Sequence, residues 1–392
     1  MSLKKIAVLT AGMMIAMGTL AACGGSDDPG EDTTAPVVDT PDPTEPDPTE
    51  PDPDPEPPST DALIGITMPD RALERWNRDG EKLQADLQAM GYQTDLQYGD
   101  NKPEQQVSQI ENQINAGATI LVIASIDSNA LAPVLQTAAE QGIVIIAYDR
   151  LLMDTENVDY YATFDNVGVG TMQGEFMRDT ADLDNAEGPF NFEAFTGSDD
   201  DNNAKLFFQG AWDVLKPYYD DGKLVCPSGK CPETVDSWTD VSIRGWSTED
   251  AQTEMENRLN SFYADKKVDI VLSPNDSLAF GIASALDAAG YVPGEDWPLL
   301  TGQDADEANV KNILAGKQSM SVFKDTRILA GNVATMVDEI AKGGSPSGIN
   351  GEYDNNVKMV PTVQAALQAV TKDTVQAVLI DSGFYTADQL GL

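Results

Sequence analysis

Short polar clusters occur in this sequence directly after runs of apolar residues. They are Asp149–Arg150, Asp165–Asn166, Asn275–Asp276, Gln303–Asp304 and Lys324–Asp325. Carboxylates only accept hydrogen bonds, arginine and lysine only donate them, and amides do both. Such a mixture suits a ligand rich in hydroxyl groups, which also donate and accept. Asn and Asp also cap helices and form turns, so one cluster alone is ambiguous, but five in equivalent positions favour a shared polar cleft.

Two tryptophans are candidates for the apolar part of the same site. The C–H patches of a pyranose ring pack against flat aromatic faces, and Trp76 and Trp246 both lie beside polar residues rather than within apolar runs. A tryptophan is more often part of the core. The position of Trp76, one turn into the helix after the first strand, favours the binding role.

The elements that must carry these residues alternate regularly. Apolar runs at Leu63–Met68, Ile120–Ala124 and Val144–Tyr148 are separated by amphipathic helical segments, which predicts parallel strands buried on both faces. The pattern repeats after Asp165, and the 332 residues from Asp61 onward are enough for two such sheets. We therefore expect an α/β fold of two lobes, with ligands at the carboxyl ends of the strands.

Enzymatic chemistry finds little support in the same residues. The chain has no histidine, which removes the commonest general base and any Ser-His-Asp triad. No two glutamates stand at strand ends as in a glycosidase. Residues 199–203 (DDDNN) lack the spacing of a calcium loop, and there is no glycine-rich phosphate loop. We predict a non-enzymatic protein without cofactor or metal.

The first 22 residues have the order of a secretory signal peptide. Lys4 and Lys5 precede an apolar run from Ile6 to Leu20, which is too short for a comfortable membrane span. The small residues before Cys23 resemble the lipobox of bacterial lipoproteins, in which the cysteine is lipidated after cleavage. The alternative is an ordinary signal peptide. The prediction is an extracytoplasmic, membrane-anchored lipoprotein, in a host with either one membrane or two.

Residues 23–60 predict a disordered stalk after the lipidated cysteine. Between residues 24 and 60 there are 11 prolines, 12 acidic residues and no basic one, too little apolar surface to offset the entropy of ordering. An extended polyproline chain of this length would reach up to ~100 Å. The whole chain has a formal net charge of −41, which repels nucleic acid and anionic membrane surfaces.

Cys226 and Cys231 are the two cysteines that remain if Cys23 is lipidated. In an oxidising compartment they predict a short-loop disulfide, with two free thiols as the alternative. Two cysteines in a chain without histidine are too few ligands for zinc.

Several segments, in order, resemble one protein family. They are LERW at 73–76, AYDR at 147–150, TFDN at 163–166, DDNNAKLF at 200–207, GQDAD at 302–306 and VFKDT at 322–326. Together they resemble the xylose- and multiple-sugar-binding branch of the type I periplasmic binding proteins, from about Leu63 to Leu390. The stalk and the excursion at 219–241 are not part of that pattern.

This resemblance implies two Rossmann-like lobes joined by three crossovers, near Asp165, Lys324 and Pro361. The N-terminal lobe would comprise 61–164 and 325–360, and the C-terminal lobe 165–324 and 361–392. It also implies a monomer that binds an aldopentose or aldohexose and passes it to the permease of an ABC importer. Which sugar fits stays open, and a sugar-sensing module that signals without transport is the alternative.

The resemblance also implies the site residues. The first lobe would contribute Arg75, Trp76, Asp149 and Arg150, with Trp76 stacking on the sugar. The second lobe would contribute Asn203 together with Asn202, and also Trp246, Asn275 and Asp304, while Lys324 would reach in from the hinge.

Overall fold

The computed structural model describes residues 62–392. The predicted signal peptide, Cys23 and the stalk lie outside this range. Within it, no helix has the length and apolar character needed to cross a membrane.

Helices and strands alternate along the whole described chain. The first part contains β1 (Leu63–Met68), α1 (Glu74–Ala89), β2 (Gln93–Tyr98), α2 (Pro103–Asn115), β3 (Ala118–Ile123), α3 (Ser128–Glu140), β4 (Val144–Tyr148) and β5 (Tyr160–Phe164). The second contains α4 (Asn166–Thr180), β6 (Phe190–Ala194), α5 (Asn202–Asp220), β7 (Leu224–Val225), 3₁₀ turns at Val235–Val241 and Arg244–Trp246, α6 (Thr248–Phe262), β8 (Ile270–Leu272), α7 (Asp276–Ala288), β9 (Leu299–Leu300), α8 (Glu307–Ala315) and β10 (Met320–Lys324). The last contains α9 (Thr326–Ala341), β11 (Gly351–Asp354), β12 (Met359–Ala365), β13 (Leu367–Thr371), a π-helical turn at Gln376–Ile380 and α10 (Ala387–Leu390).

The first lobe is built on a seven-stranded sheet with the order β11-β12-β5-β4-β3-β1-β2. All its neighbours pair in parallel except β11 and β12, which pair antiparallel at one edge. Helix α9 belongs to this lobe, because Leu329 and Val333 pack with Leu83 of α1 in the same core. The predicted parallel α/β architecture is confirmed.

The second lobe carries a four-stranded parallel sheet, β7-β6-β8-β9, and an antiparallel pair, β10-β13. The two are joined by a parallel bridge between Gln303 and Val322. The backbone N–H of Ser319 also donates to the carbonyl of Leu300 at 2.9 Å. The carboxyl end of β9 therefore lies beside β10, and Gln303, Asp304 and Lys324 come to one edge.

The chain passes between the two sheets at three places, after β5, after β10 and after β12. The third crossover lies beyond the boundary expected at Pro361, because Thr362 to Ala365 continue to pair with β5 of the first sheet. The chain joins the second lobe only at Leu367, the first residue of β13. Pro361 precedes the positions paired with β5, so its missing N–H interrupts no hydrogen bond to that strand.

Helices α4 and α5 of the second lobe pack with their backbones nearly touching. A Cβ atom on Gly170 would lie 1.8 Å from the carbonyl oxygen of Phe207, and one on Gly210 would lie 2.0 Å from that of Val167. Only glycine permits such an approach. The contact fixes the amino-terminal half of α5, which carries Asn203 and Phe207.

The predicted disulfide between Cys226 and Cys231 is present, with the two Cα atoms 6.1 Å apart. It closes a loop at the edge of the second sheet, beside the buried carboxylate of Glu193, which accepts a hydrogen bond from Ser228 Oγ at 2.6 Å. The chain then returns to the sheet, where Ile243 N donates to the carbonyl of Thr196 at 3.1 Å. The excursion thus ends just before Trp246.

Candidate functional site

A polar cavity lies between the two lobes. Every lining side chain except that of Leu73 is buried. The lining residues are Leu73, Arg75, Trp76, Asp149, Arg150, Asp201, Asn203, Phe207, Trp246, Asn275, Gln303, Asp304 and Lys324. They come from strand ends and helix starts of both sheets, as expected for the carboxyl edge of parallel sheets.

Arg75, in the first turn of α1, is the centre of the charged network. Its Nη2 lies 2.8 Å from Asp149 Oδ2, its Nε 3.1 Å from Asp79 Oδ2, and its Nη1 3.3 Å from Asp304 Oδ1. Asp79 and Asp149 belong to the first lobe and Asp304 to the second. One buried guanidinium therefore joins the two lobes.

The pKa shifts in this network follow from burial and charge. Burial alone would lower the pKa of Arg75, but the attraction of Asp149, Asp79 and Asp304 outweighs it and raises the pKa well above its ordinary value. Burial would raise the pKa of Asp149, but Arg75 and Lys324 outweigh it and lower that pKa. Asp149 is therefore held as a carboxylate. At Asp79 burial wins, and its pKa is raised.

Two further ion pairs complete the lining. Lys324 Nζ lies 3.0 Å from Asp304 Oδ1, and Arg150 Nε lies 2.8 Å from Asp201 Oδ2. Among the lining residues, three cations (Arg75, Arg150 and Lys324) balance three carboxylates (Asp149, Asp201 and Asp304). The lining carries no net formal charge, and its charges already neutralise one another.

Two indole rings form the apolar part of the lining. Trp76 lies beneath the guanidinium of Arg75, whose Cζ is 4.4 Å from the ring centroid. Trp246 packs edge-on against Phe207, with centroids 6.3 Å apart. A Cβ atom on Gly197 would lie 2.0 Å from Trp246 Cη2. The indole of Trp246 can therefore occupy this position only because residue 197 is a glycine.

The backbone is strained at three lining residues. Asp149, Trp246 and Asp304 have φ angles of 59°, 56° and 97°, values that residues with a side chain seldom adopt. Such strain costs of order 1–3 kcal/mol each and clusters at functional sites. Here it turns each side chain off the end of its strand or turn towards the cavity.

Asn203 ties the lobes together beside the cavity. Its Nδ2 donates to the backbone carbonyl of Asp149 at 2.8 Å, and its Oδ1 accepts from Asn166 Nδ2 at 3.0 Å. The same carbonyl of Asp149 also accepts from Tyr161 Oη at 2.5 Å. The side-chain amide of Asn203 therefore holds Asp149 in place from the opposite lobe.

A second contact between the lobes lies outside the cavity. Arg78 of α1 donates to Asp306 Oδ1 at 3.0 Å and to Tyr385 Oη at 2.5 Å. Burial is the largest cause that raises the pKa of Asp306, to about 7; the charge of Asp304 adds to it, and Arg78 opposes it. This contact adds a titratable group to the junction.

Residues 64–345 match the family described as periplasmic binding protein domain. This match covers well over half of the chain. The chain belongs to this family. The resemblance noted in the sequence is thereby confirmed, and the family is one of solute receptors rather than enzymes.

Relatives of this periplasmic binding protein carry sugar-binding names. The chain is 47% identical over 329 residues to the multiple sugar-binding periplasmic receptor ChvE of Rhizobium radiobacter, covering 83% of this chain and 92% of that protein. It is 35% identical over 327 residues to the D-xylose-binding periplasmic protein of Escherichia coli, covering 83% and 92%. A solved ABC transporter solute binding protein from Clostridium phytofermentans, with bound β-D-glucose, is 50% identical, with a TM-score of 0.79 and coverage of 84% and 99%.

Nine of the ten ligand-binding residues predicted for this periplasmic binding protein line the one cavity. Asn202 does not. It lies in a neighbouring depression with Asp127 and Asp199, because consecutive helical residues face different directions and Asn203 faces the cavity. Asp165 and Asp325 instead cap α4 and α9. These two aspartates therefore have the helix-capping role and do not line the cavity.

Four lining residues, Leu73, Asp201, Phe207 and Gln303, were not among the ten predicted ligand-binding residues. Two could have been inferred. Phe207 stands four residues after Asn203 on α5 and so shares its face, while Gln303 belongs to a polar cluster singled out at a strand end. Asp201 reads as a helix cap, and it does accept from Asn203 N at 2.9 Å. Leu73 carries no polar signal.

We expect Gly197→Ala to displace the indole of Trp246 and to destabilise the protein by about 1–3 kcal/mol, as overpacking does. Urea unfolding and tryptophan fluorescence measure both effects. Gly331→Ala is the matched control: nothing lies within 4 Å of its added Cβ, and in helix α9 alanine should be neutral or stabilising. Equal stability of the two variants would contradict the role assigned to Gly197.

We expect Asp306→Asn to weaken the pH dependence of stability. An acid whose pKa is raised in the native state binds its proton more tightly there, so the free energy of unfolding falls as pH rises from about 4 to about 7. Asp79, Asp201 and Asp276 have raised pKa values too and keep part of the slope. Urea unfolding at pH values across that range tests this.

The control for the pH experiment is Asp213→Asn, which removes an exposed carboxylate of α5. It should leave the slope of the wild-type protein almost unchanged. A slope for Asp306→Asn equal to that of this control would show that Asp306 does not titrate in the range stated.

Proposed function

We propose that this protein is an extracytoplasmic receptor that binds one uncharged monosaccharide of the aldopentose or aldohexose class in the cavity between its lobes. The observation that carries the proposal is the cavity lining, in which buried ion pairs balance and two indole rings are present. An anionic ligand would need a surplus of cations, and a cationic ligand a surplus of carboxylates. Hydroxyl groups instead use the remaining lone pairs and N–H groups of neutralised side chains.

The relatives support the choice of sugars among uncharged ligands. The receptor of Rhizobium radiobacter is named for several sugars and that of Escherichia coli for D-xylose. The solved relative from Clostridium phytofermentans holds β-D-glucose. Arg75, Asp149 and Arg150 on the first lobe, and Asn275 and Asp304 on the second, are the side chains proposed to bind hydroxyl groups.

Trp76 and Trp246 are proposed to pack against the C–H faces of the ring. Lys324 stands at the second crossover, where its Nζ lies 3.0 Å from Asp304 Oδ1. It would donate to a hydroxyl group while remaining paired with Asp304. Asn203 acts mainly through Asp149, whose carbonyl it holds.

Binding is proposed to be coupled to movement of the lobes about three hinge residues, Asp165, Asp325 and Ala366. The ion pair between Arg75 and Asp304 crosses from one lobe to the other, so opening would separate buried charges. A sugar that contacts both lobes stabilises the closed state by its differential affinity for that state.

Delivery of the sugar to the permease of an ABC importer, with the receptor anchored through lipid on Cys23, is the finer part of the proposal. It is supported by the short apolar segment that ends at Cys23, by the acidic stalk that follows, and by the ABC transporter relative. The stalk would give the lobes reach from the membrane to the transporter.

We expect an aldose such as D-glucose or D-xylose to raise the melting temperature, because a ligand bound only by the native state stabilises it. Asp149→Asn should raise the Kd roughly tenfold or more, since a charge-assisted acceptor beside Arg75 is lost. Calorimetric titration measures the Kd, and Asp213→Asn is the matched control. No response to any aldose would refute the proposed function.

We expect the full-length protein, expressed in a bacterial host, to incorporate labelled palmitate and to fractionate with membranes. Cys23→Ser should abolish both, because the thiol that accepts the lipid is removed. Cys226 and Cys231 are the internal control, since their disulfide leaves no free thiol there. Labelling that persists in Cys23→Ser would refute the lipid anchor.

A further inference from the structure

Three residues that line the cavity carry side-chain atoms whose hydrogen-bonding capacity is not used by the protein. Within residues 62–392, three of the buried side-chain atoms without a partner belong to lining residues: Trp76 Nε1, Trp246 Nε1 and Gln303 Oε1. Buried polar groups in native proteins are nearly always hydrogen-bonded, so each exception needs an explanation. Gln303 is the one acceptor in this set.

The other oxygen-bearing side chains of the lining already accept hydrogen bonds from the protein. Asp149 and Asp304 accept from Arg75, and Asp201 accepts from the backbone of Asn203. Asn203 Oδ1 accepts from Asn166, and Asn275 Oδ1 accepts from Leu278 N. Among the described residues around the cavity, Gln303 is therefore the side-chain acceptor left without a donor.

The backbone holds Gln303 firmly. Its carbonyl accepts from Asp276 N at 3.0 Å, and its neighbour Asp304 donates through its N–H to Val322 at 2.9 Å. On the other side, the carbonyl of Gly302 accepts from Val322 N at 3.0 Å. The residue is 1% exposed, so bulk water does not satisfy its side chain.

We propose that Gln303 is a specificity-determining residue that accepts a hydrogen bond from one particular hydroxyl group of the sugar. This inference rests on the proposed function and adds a residue and a selection rule to it. A site that places a buried acceptor against a ligand hydroxyl rejects analogues lacking that hydroxyl, because the acceptor is then left unpaired.

The test is a calorimetric comparison of D-glucose, each singly deoxygenated D-glucose and D-xylose, for the wild type and for Gln303→Met. The wild type should bind the deoxy sugar that lacks the partner hydroxyl of Gln303 roughly tenfold or more weakly than D-glucose. Gln303→Met should lose affinity for D-glucose by a similar factor but should no longer discriminate against that deoxy sugar. The coupling in this double-mutant cycle identifies the hydroxyl group.

Gln303→Glu is the second variant. It keeps an acceptor at the same place, so discrimination against the same deoxy sugar should return. Gln106→Met is the matched control, because its amide is buried but pairs with Ala124 O and Ile126 N outside the cavity lining. It should lower the melting temperature and leave the ratio between sugars unchanged.

Two results would overturn the inference. One is wild-type affinity of Gln303→Met for all the sugars. The other is an equal loss for D-glucose and for every deoxy sugar, which would show that Gln303 supports the fold or a bridging water. If the wild type binds none of these sugars, the proposed function itself fails, and the inference fails with it.

Discussion

A buried arginine held by carboxylates from both lobes is the interaction on which the rest of this site depends. Arg75 cannot shed its charge, and a charge of this kind removed from water is tolerated only when it is paired and hydrogen-bonded. Two of its partners, Asp79 and Asp149, lie on its own lobe, and the third, Asp304, lies on the other. The same buried ion pairs therefore join the two lobes and balance the charges of the cavity.

Satisfying the charge internally has a consequence for the ligand. Since Arg75, Arg150 and Lys324 already have carboxylate partners, the cavity does not demand a counter-ion. What remains is directional: spare lone pairs, spare N–H groups and two indole faces. A neutral polyhydroxylated ring complements that combination, whereas a charged ligand would upset a balanced network. Selectivity among neutral ligands is then a matter of individual acceptors such as Gln303.

The backbone supplies the rigidity that such a site needs. Glycines at 170 and 210 let α4 and α5 approach closely, and Gly197 leaves room for the indole of Trp246. Left-handed backbone at Asp149, Trp246 and Asp304 aims their side chains inward. The left-handed backbone costs free energy locally, and the surrounding structure offsets that cost. Lining groups on strand ends and helix starts move with their lobe as rigid units.

The residues of the chain by themselves determined the architecture and most of the candidate site. Short apolar runs that alternate with helical segments predict parallel strands, because a strand covered by helices on both faces carries apolar residues at successive positions. The carboxyl ends of parallel strands lie at the same edge of their sheet, and ligands bind at that edge. The polar clusters after β4, β9 and β10 could therefore be assigned to one cleft from the sequence. The absence of histidine likewise limited the chemistry without any coordinates.

The tertiary structure decided what local sequence leaves ambiguous. An aspartate before a helix can cap it, as Asp165 does, or both cap it and line the cavity, as Asp201 does. Which occurs depends on the angle at which the helix meets the opposite lobe, and no residue encodes that angle alone. The third crossover after Ala365, the inward turn of Asn203 rather than Asn202, and the unpaired acceptor of Gln303 have the same origin. Each depends on contacts between segments far apart in the chain, which form only when both sheets and the junction between them are in place.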